Sequence, residues 1–343
     1  MPVAITRGSL KSKVWPALLS LPLVAALASP SRAAELIPFK FGISAPVVTI
    51  LPVWLAQSAG FYEKEGLKVE VINMEGGSKG IQVLLSGNIQ GMHVGVAPIV
   101  LANKAGADLR AITSTINTIP FTIFTKPEIK TPQDLKGKNI GISSFGAETD
   151  IAVTLMLQKF GMDRKDVTIS QLGGSGKRLA ALLAGRVDAV PLIEPTITIA
   201  KEKGFHALMD LEAAKTPWIF DSVVVTKAYL QQHPDILARF VRAYVRAAYL
   251  ALSDAKAAKA EMMKRFKNKD PKVIDATYAD FQRTMPHDAA PSIEGAKNVI
   301  AQLQSAKFNI GSTDPNAYLD FSIINALKKD GYFAQMAKEY PIK

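Results

Sequence analysis

Two periodicities share this chain. Short β-branched or alternating apolar runs at 39–44, 67–74, 92–94, 109–115, 121–125, 138–142, 167–172, 187–193, 207–209 and 222–226 predict strands. Apolar positions at helical spacing fill the intervals. One helix begins near Pro52 and closes by Gly60; others end at Leu85 and Gly106 or span 147–160, 177–184 and 196–203. Strand and helix in alternation build βαβ units and predict an α/β fold. From Ala228 onward the chain turns mainly helical, with Pro234 at a helix start and Ile236, Leu237, Phe240, Val241, Tyr244, Val245 and Ala248 on one stripe.

Lys138-Asn-Ile-Gly-Ile-Ser-Ser-Phe-Gly-Ala-Glu-Thr-Asp150 runs from a strand through a small polar turn into a helix. A helix start of this kind presents unpaired N–H groups beside hydroxyls. At the carboxyl end of a parallel strand, such groups suit an anionic or polar ligand group. The chain also repeats itself once: Gly76-Gly-Ser-Lys-Gly-Ile-Gln-Val-Leu-Leu-Ser-Gly-Asn-Ile-Gln90 lines up with the stretch from Gly173 to Asp188, which carries one extra residue. Two copies are too few for a solenoid. They predict two related α/β lobes whose strand ends face a common cleft.

Length and composition fit this reading: 343 residues, 48% hydrophobic and 21% charged, are enough for two globular domains. Arg7, Lys11 and Lys13, the apolar run 14–28 and Ser31-Arg-Ala33 read as a secretory signal peptide cleaved near Ala33, since Pro16, Pro22 and the short run argue against a membrane anchor. Cleavage would remove four bases (Arg7, Lys11, Lys13, Arg32) and no acid, lowering the net charge from +11 to +7. The chain has no cysteine, hence no disulfide, thiol nucleophile or lipid-bearing cysteine. Its bases are scattered rather than interleaved with aromatics in a stripe, so nucleic-acid binding is not expected.

Several motifs fail as catalytic or metal signatures. Gly76-Gly-Ser-Lys-Gly80 matches the turn that exposes a hydrolase serine, but the second copy loses the final glycine and keeps Gly-Gly-Ser, which assigns the serine to a repeated turn. Gly173-Gly-Ser-Gly-Lys-Arg178 lacks phosphate-loop spacing and places Arg178 where a metal-binding hydroxyl belongs. His93, His206, His233 and His287 are too far apart to form a short-range ligand pair. Glu148 and Glu194 each follow a strand; a buried carboxylate there would need a donor such as an amine, amide or ring N–H, or it would simply favour a helix start. Phe145, Trp218 and Phe220 read as an aromatic ligand wall or as core and hinge packing. Arg239, Arg242 and Arg246 read as a solvated face. No arginine cluster marks the expected cleft.

The stretch Leu55-Ala-Gln-Ser-Ala-Gly-Phe-Tyr-Glu-Lys-Glu-Gly-Leu-Lys-Val-Glu-Val71, the Gly76-Gly-Ser78 turn, Asp134-Leu-Lys-Gly-Lys-Asn-Ile-Gly-Ile142 and Leu182-Leu-Ala-Gly-Arg-Val-Asp-Ala189 resemble the solute-binding proteins of ABC importers in the nitrate, sulfonate, taurine and thiamine-precursor group (SsuA/THI5-like, NMT1-like). The resemblance covers most of the chain after residue 33. It implies a type II periplasmic-binding fold: two lobes joined by two crossovers, a ligand cleft between them and a helical C-terminal part. Its segments would be a signal peptide at 1–33, the first lobe at 34–125, the second at 126–221, and a return to the first lobe with C-terminal helices at 222–343. It further implies a monomer in the periplasm that binds a small molecule and docks on an inner-membrane ABC permease with its ATPase, without catalysis or cofactor. By position, the ligand loops would supply Ser44, Val48, Thr49, Gly77, Ser78, Val96, Ala97 and Thr115 from the first lobe. The second would supply Ser143, Ser144, Phe145, Gly146, Ala147, Glu148, Gly174, Glu194, Trp218 and Phe220. The expected ligand is a small polar or anionic organic compound of the sulfonate, taurine, nitrate, carboxylate or pyrimidine class. The alternatives are an enzyme of the same fold acting on a pyrimidine-type precursor and an exported ligand-binding sensor module.

Overall fold

The computed structural model describes residues 1–6, 8–9 and 35–342; the apolar run of the expected signal peptide and its cleavage near Ala33 lie outside the described residues. Between Glu35 and the C-terminus the chain builds two five-stranded sheets. The first has the order β2-β1-β3-β10-β4, from β1 (Ile37–Ile43), β2 (Leu67–Asn73), β3 (Gly91–Val94), β4 (Leu109–Ala111) and β10 (Ser222–Thr226). The second has the order β7-β6-β8-β5-β9, from β5 (Thr122–Thr125), β6 (Asn139–Ile142), β7 (Thr168–Gln171), β8 (Ala189–Leu192) and β9 (His206–Asp210). In each sheet the first three strands are parallel and the fourth runs against its neighbours.

The alternating strand pattern has a direct packing outcome. In β1, Phe39 and Phe41 are fully buried while Lys40 between them is exposed. Among the described residues nine α-helices flank or join these strands up to residue 253: α1 (Leu51–Ser58), α2 (Phe61–Lys64), α3 (Gly77–Leu85), α4 (Val96–Lys104), α5 (Glu148–Lys159), α6 (Ser175–Leu183), α7 (Thr196–Glu202), α8 (Lys227–Gln232) and α9 (Pro234–Ser253). Phe240 on α9 stacks against Phe39, Phe41 and Tyr62 at ring-centroid distances of 4.9, 4.8 and 5.1 Å, so the long C-terminal helix closes the core of the first lobe. Truncating Phe240 to Ala would cost about 3–5 kcal/mol on this packing. Helices continue from Ala255 to Glu339.

Two boundaries differ from the sequence reading. The expected first segment ended at 125, but β5 pairs antiparallel with β8 and β9, so the chain has already entered the second sheet by Thr122. A strand's own residues do not encode which sheet it joins. The expected strand 109–115 ends at Ala111, because Thr115 N–H bonds Asp221 O at 2.8 Å and Ser114 N–H bonds Ala289 O at 2.8 Å outside any sheet. Residues 112–121 are therefore a crossover between lobes, and 217–221 are the return. The two run antiparallel, bridged at Ile116 and Asp221, with Trp218 N–H on Asn117 O at 2.9 Å and Phe220 N–H on Ile116 O at 3.0 Å.

Candidate ligand-binding site

Where the crossovers pass between the sheets, both lobes line a small cavity of about 50 Å³. Its walls include Ser44 and Gly77 from the first lobe, Ser143, Ala147 and Glu148 from the second, and Phe220 from the return crossover. At this size it holds a few waters. The lobes are thus in contact across the cleft, and the contacts are specific.

Two carboxylates reach across it in opposite directions. Glu148, at the start of α5 in the second lobe, accepts the Ala97 N–H at the start of α4 in the first lobe at 3.3 Å, and the Trp218 indole N–H at 3.0 Å. Glu75, just before α3 in the first lobe, accepts the Gly174 N–H at the start of α6 in the second at 3.2 Å and lies 3.3 Å from Lys177. Each acid serves the positive end of the opposite lobe's helix. Gly95 makes the first contact possible: a Cβ there would fall 2.0 Å from Glu148 Oε1 and 2.3 Å from Phe220 O. Burial, together with the neighbouring Asp221, raises the Glu148 carboxyl to about 8 against the pull of its two donors.

The predicted anion nest at 143–148 is corrected by the structure. Three of the loop's N–H groups are already bonded within the second lobe: Ser143 N–H donates to Thr149 Oγ1 at 2.9 Å, Gly146 N–H to Asp150 Oδ2 at 2.8 Å and Phe145 N–H to Gln171 on β7 at 3.0 Å. Acids and hydroxyls in the first turn of a helix suit local capping as well as ligand capture. Positive charge comes instead from Arg178 on α6. It is 3% exposed, lines the cavity, and donates Nε–H to Pro191 O at 2.9 Å and an Nη1 hydrogen to Gly173 O at 2.7 Å. Among the described residues no carboxylate pairs with it. Burial alone lowers it to about 9, so it is still a cation at neutral pH.

Other expected site residues disperse. Glu194 is turned onto its own helix, accepting the Thr198 N–H at 3.2 Å and hydroxyl at 2.8 Å, and does not line the cavity. Thr115 is fully buried between His93 Nε2 at 2.7 Å and the Tyr244 hydroxyl. Thr49 donates to Asp221 Oδ2 at 2.6 Å, and Val48 is core. Ser78 donates to Phe145 O at 2.8 Å and, with Gly146, lines an outer groove instead; Phe145 itself is half exposed. Ser144 is buried against Gly76, Val96 donates its N–H to Ile219 O, and Gly174 and Ala97 act through the two carboxylates. Trp218 is buried and reaches the site through its indole N–H.

Asp221 is a cavity residue the sequence reading missed. Its carboxylate is 3.4 Å from His93 Nδ1 and continues through His93 to Thr115 and Tyr244. Only the acid end meets the cavity while the threonine hydroxyl is buried, so this chain ties the crossovers to α9 rather than activating a nucleophile. Among the described residues no group of three or more His, Asp or Glu is placed to hold a metal ion, and no helix is long and apolar enough to cross a membrane.

Two α/β lobes joined by a pair of crossovers, with a cleft between them, are the fold of periplasmic binding proteins, and comparison with solved structures agrees. The alkanesulfonate-binding protein SsuA from Xanthomonas axonopodis pv. citri, bound to MOPS, superimposes with a TM-score of 0.69 at 20% identity, covering 84% of this chain and all of that one. The chain belongs to the NMT1/THI5-like family, whose pattern matches residues 48–258. Among relatives, the riboflavin-binding protein RibY of Chloroflexus aurantiacus is 23% identical over 209 residues, 59% of this chain and 58% of that protein. The 4-amino-5-hydroxymethyl-2-methylpyrimidine phosphate synthase of Uromyces fabae is 28% identical over 235 residues, 62% of this chain and 66% of that protein. The chain thus spans about two thirds or less of these two relatives, and family membership spans binding proteins and proteins named as synthases.

Proposed function

We propose that this chain is the solute-binding component of an ABC importer, working in the periplasm after removal of its signal peptide. It captures a small organic anion by lobe closure and hands it to an inner-membrane permease with its ATPase. The observation that carries the ligand class is Arg178, a buried cation that lines the cleft and has no carboxylate partner among the described residues. Burying an unpaired guanidinium is costly, and a ligand anion is the group that offsets that cost. Sulfonate and carboxylate ligands suit its planar donor set. Ser44, Ser143, Thr149 and Ser175 supply further polar lining, and Phe220 and Phe121 supply apolar wall.

A thermal-shift and calorimetry screen over alkylsulfonates, short carboxylates, nitrate and pyrimidines tests this. A hit should compact the protein in solution scattering and lose most of its affinity in Arg178→Met. If organic anions produce no shift while a neutral compound does, the anion reading is wrong.

A further inference from the structure

The cavity carries charge of both signs, held apart. Arg178 stands on α6, Glu148 at the start of α5 and Asp221 on the return crossover, and the charge of Asp221 adds to burial in opposing the ionisation of Glu148. Among the described residues neither acid is paired with Arg178. A purely anionic occupant would satisfy Arg178 and leave two carboxyls facing each other. A neutral occupant would leave the guanidinium unpaired. The two carboxyls already hold protein donors, Ala97 and Trp218 on Glu148 and Thr49 on Asp221, and keep further lone pairs; an occupant that pairs with Arg178 and also uses those lone pairs carries both an anionic group and an N–H donor.

Resting on the anion reading above, we propose that Glu148 is the specificity-determining residue of the site. With Asp221 it reads an ammonium or other N–H donor on the same ligand whose anionic group meets Arg178. The groups packed on Glu148 fit this role. Its oxygens already accept from Ala97 N–H and the Trp218 indole, Gly95 and the Phe220 carbonyl close its flanks, and Asp221, itself 3.4 Å from His93, is the charged group facing it. The carboxyl is protonated at neutral pH because burial holds it up at about 8. An ammonium set against it favours the charged form, so the bound carboxyl titrates lower than the free one. Binding near pH 7 then releases close to one proton, and the sign follows. Affinity for the amino ligand rises by roughly tenfold per pH unit below about 8 and levels off above it. A ligand with a methyl group there makes no hydrogen bond to the acid, and it weakens as pH passes 8 because it buries the ionised carboxylate without a cation.

The experiment uses the whole mature protein and matched probes in which a methyl replaces the amine: taurine against propane-1-sulfonate, and β-alanine against butyrate. Calorimetry from pH 6 to 8.5, in two buffers of different ionisation enthalpy, should show the amino member binding about tenfold tighter or more at pH 8. The preference should shrink as pH falls, and the observed heat should depend on the buffer. In Glu148→Gln the preference should collapse to within about threefold and its pH dependence should flatten. Equal or tighter binding of the methyl members, or a pH-independent preference in the wild type, overturns the role of Glu148 while leaving the anion site standing. Binding of neither member of either pair overturns the anion reading itself, and this proposal with it.

Discussion

The two Gly-Gly-Ser copies fold into the same helix and do different work. Matched along their helices, Ile81 and Leu179 are each 5% exposed, Leu84 and Leu182 are 2% and 1%, and Leu85 and Leu183 are both 46%. The packing stripe has been kept almost residue for residue. Position 80 breaks the match. In the first copy it is Gly80, where a Cβ would lie 2.1 Å from Met92 Cε; in the second, displaced by the extra residue, it is Arg178, turned to the cleft. One copy uses the position for close helix-to-strand approach, the other for charge. A duplicated scaffold can therefore share its core pattern while the ligand group is placed by a single position that the core does not constrain.

The comparison breaks hardest at Arg178. Arg178→Met should reduce affinity for an anionic ligand by about thirtyfold or more, since removing one partner of a desolvated charge pair costs about 2–5 kcal/mol. The same change should leave the melting temperature equal or higher. The folded protein holds this group below its ordinary pKa, so its charge opposes folding throughout the range below about 9. A melting temperature that falls along with affinity would make Arg178 a structural residue. Gly95→Ala comes next: its methyl cannot share space with Glu148 and the Phe220 carbonyl, so the lobes should stand further apart in solution scattering and ligand affinity should drop about tenfold. Gly80→Ala should act on stability instead, costing about 1–3 kcal/mol by overpacking against Met92, partly offset by better helix propensity; chemical denaturation reads it. Glu75→Gln is the smallest. Its partner Lys177 is largely exposed, so the loss should stay below about 1 kcal/mol and appear as a slightly more open ligand-free protein.

Much of the fold was legible because each strand and helix carries its own periodicity: Phe39 and Phe41 announce β1, and the glycines at 161 and 204 close α5 and α7. The site was less so. Glu194 and Glu148 occupy the same kind of position after a strand, and sequence does not distinguish an acid that bonds its own helix at Thr198 from one that bonds the opposite lobe at Ala97. Arg178 was measured against a phosphate loop it does not form. A better signal was present: it lies four residues before Leu182, on the buried stripe of an amphipathic helix, where a lone cation needs a reason to be. Asp221 and Glu75 depend on the approach of segments far apart in the chain, which local pattern does not report.

The paired crossovers carry a last consequence. Because Thr115, Ile116 and Asn117 are hydrogen-bonded to Asp221, Phe220 and Trp218, the two connections behave as one short ribbon rather than two independent tethers. Two separate strings would let one lobe slide, tilt and twist against the other. A ribbon resists shear and leaves bending as its soft mode, so the relative motion of the lobes is reduced to nearly one degree of freedom. A single distance between labels on the two lobes then suffices as a reaction coordinate, and its distribution should show two narrow populations rather than a broad continuum.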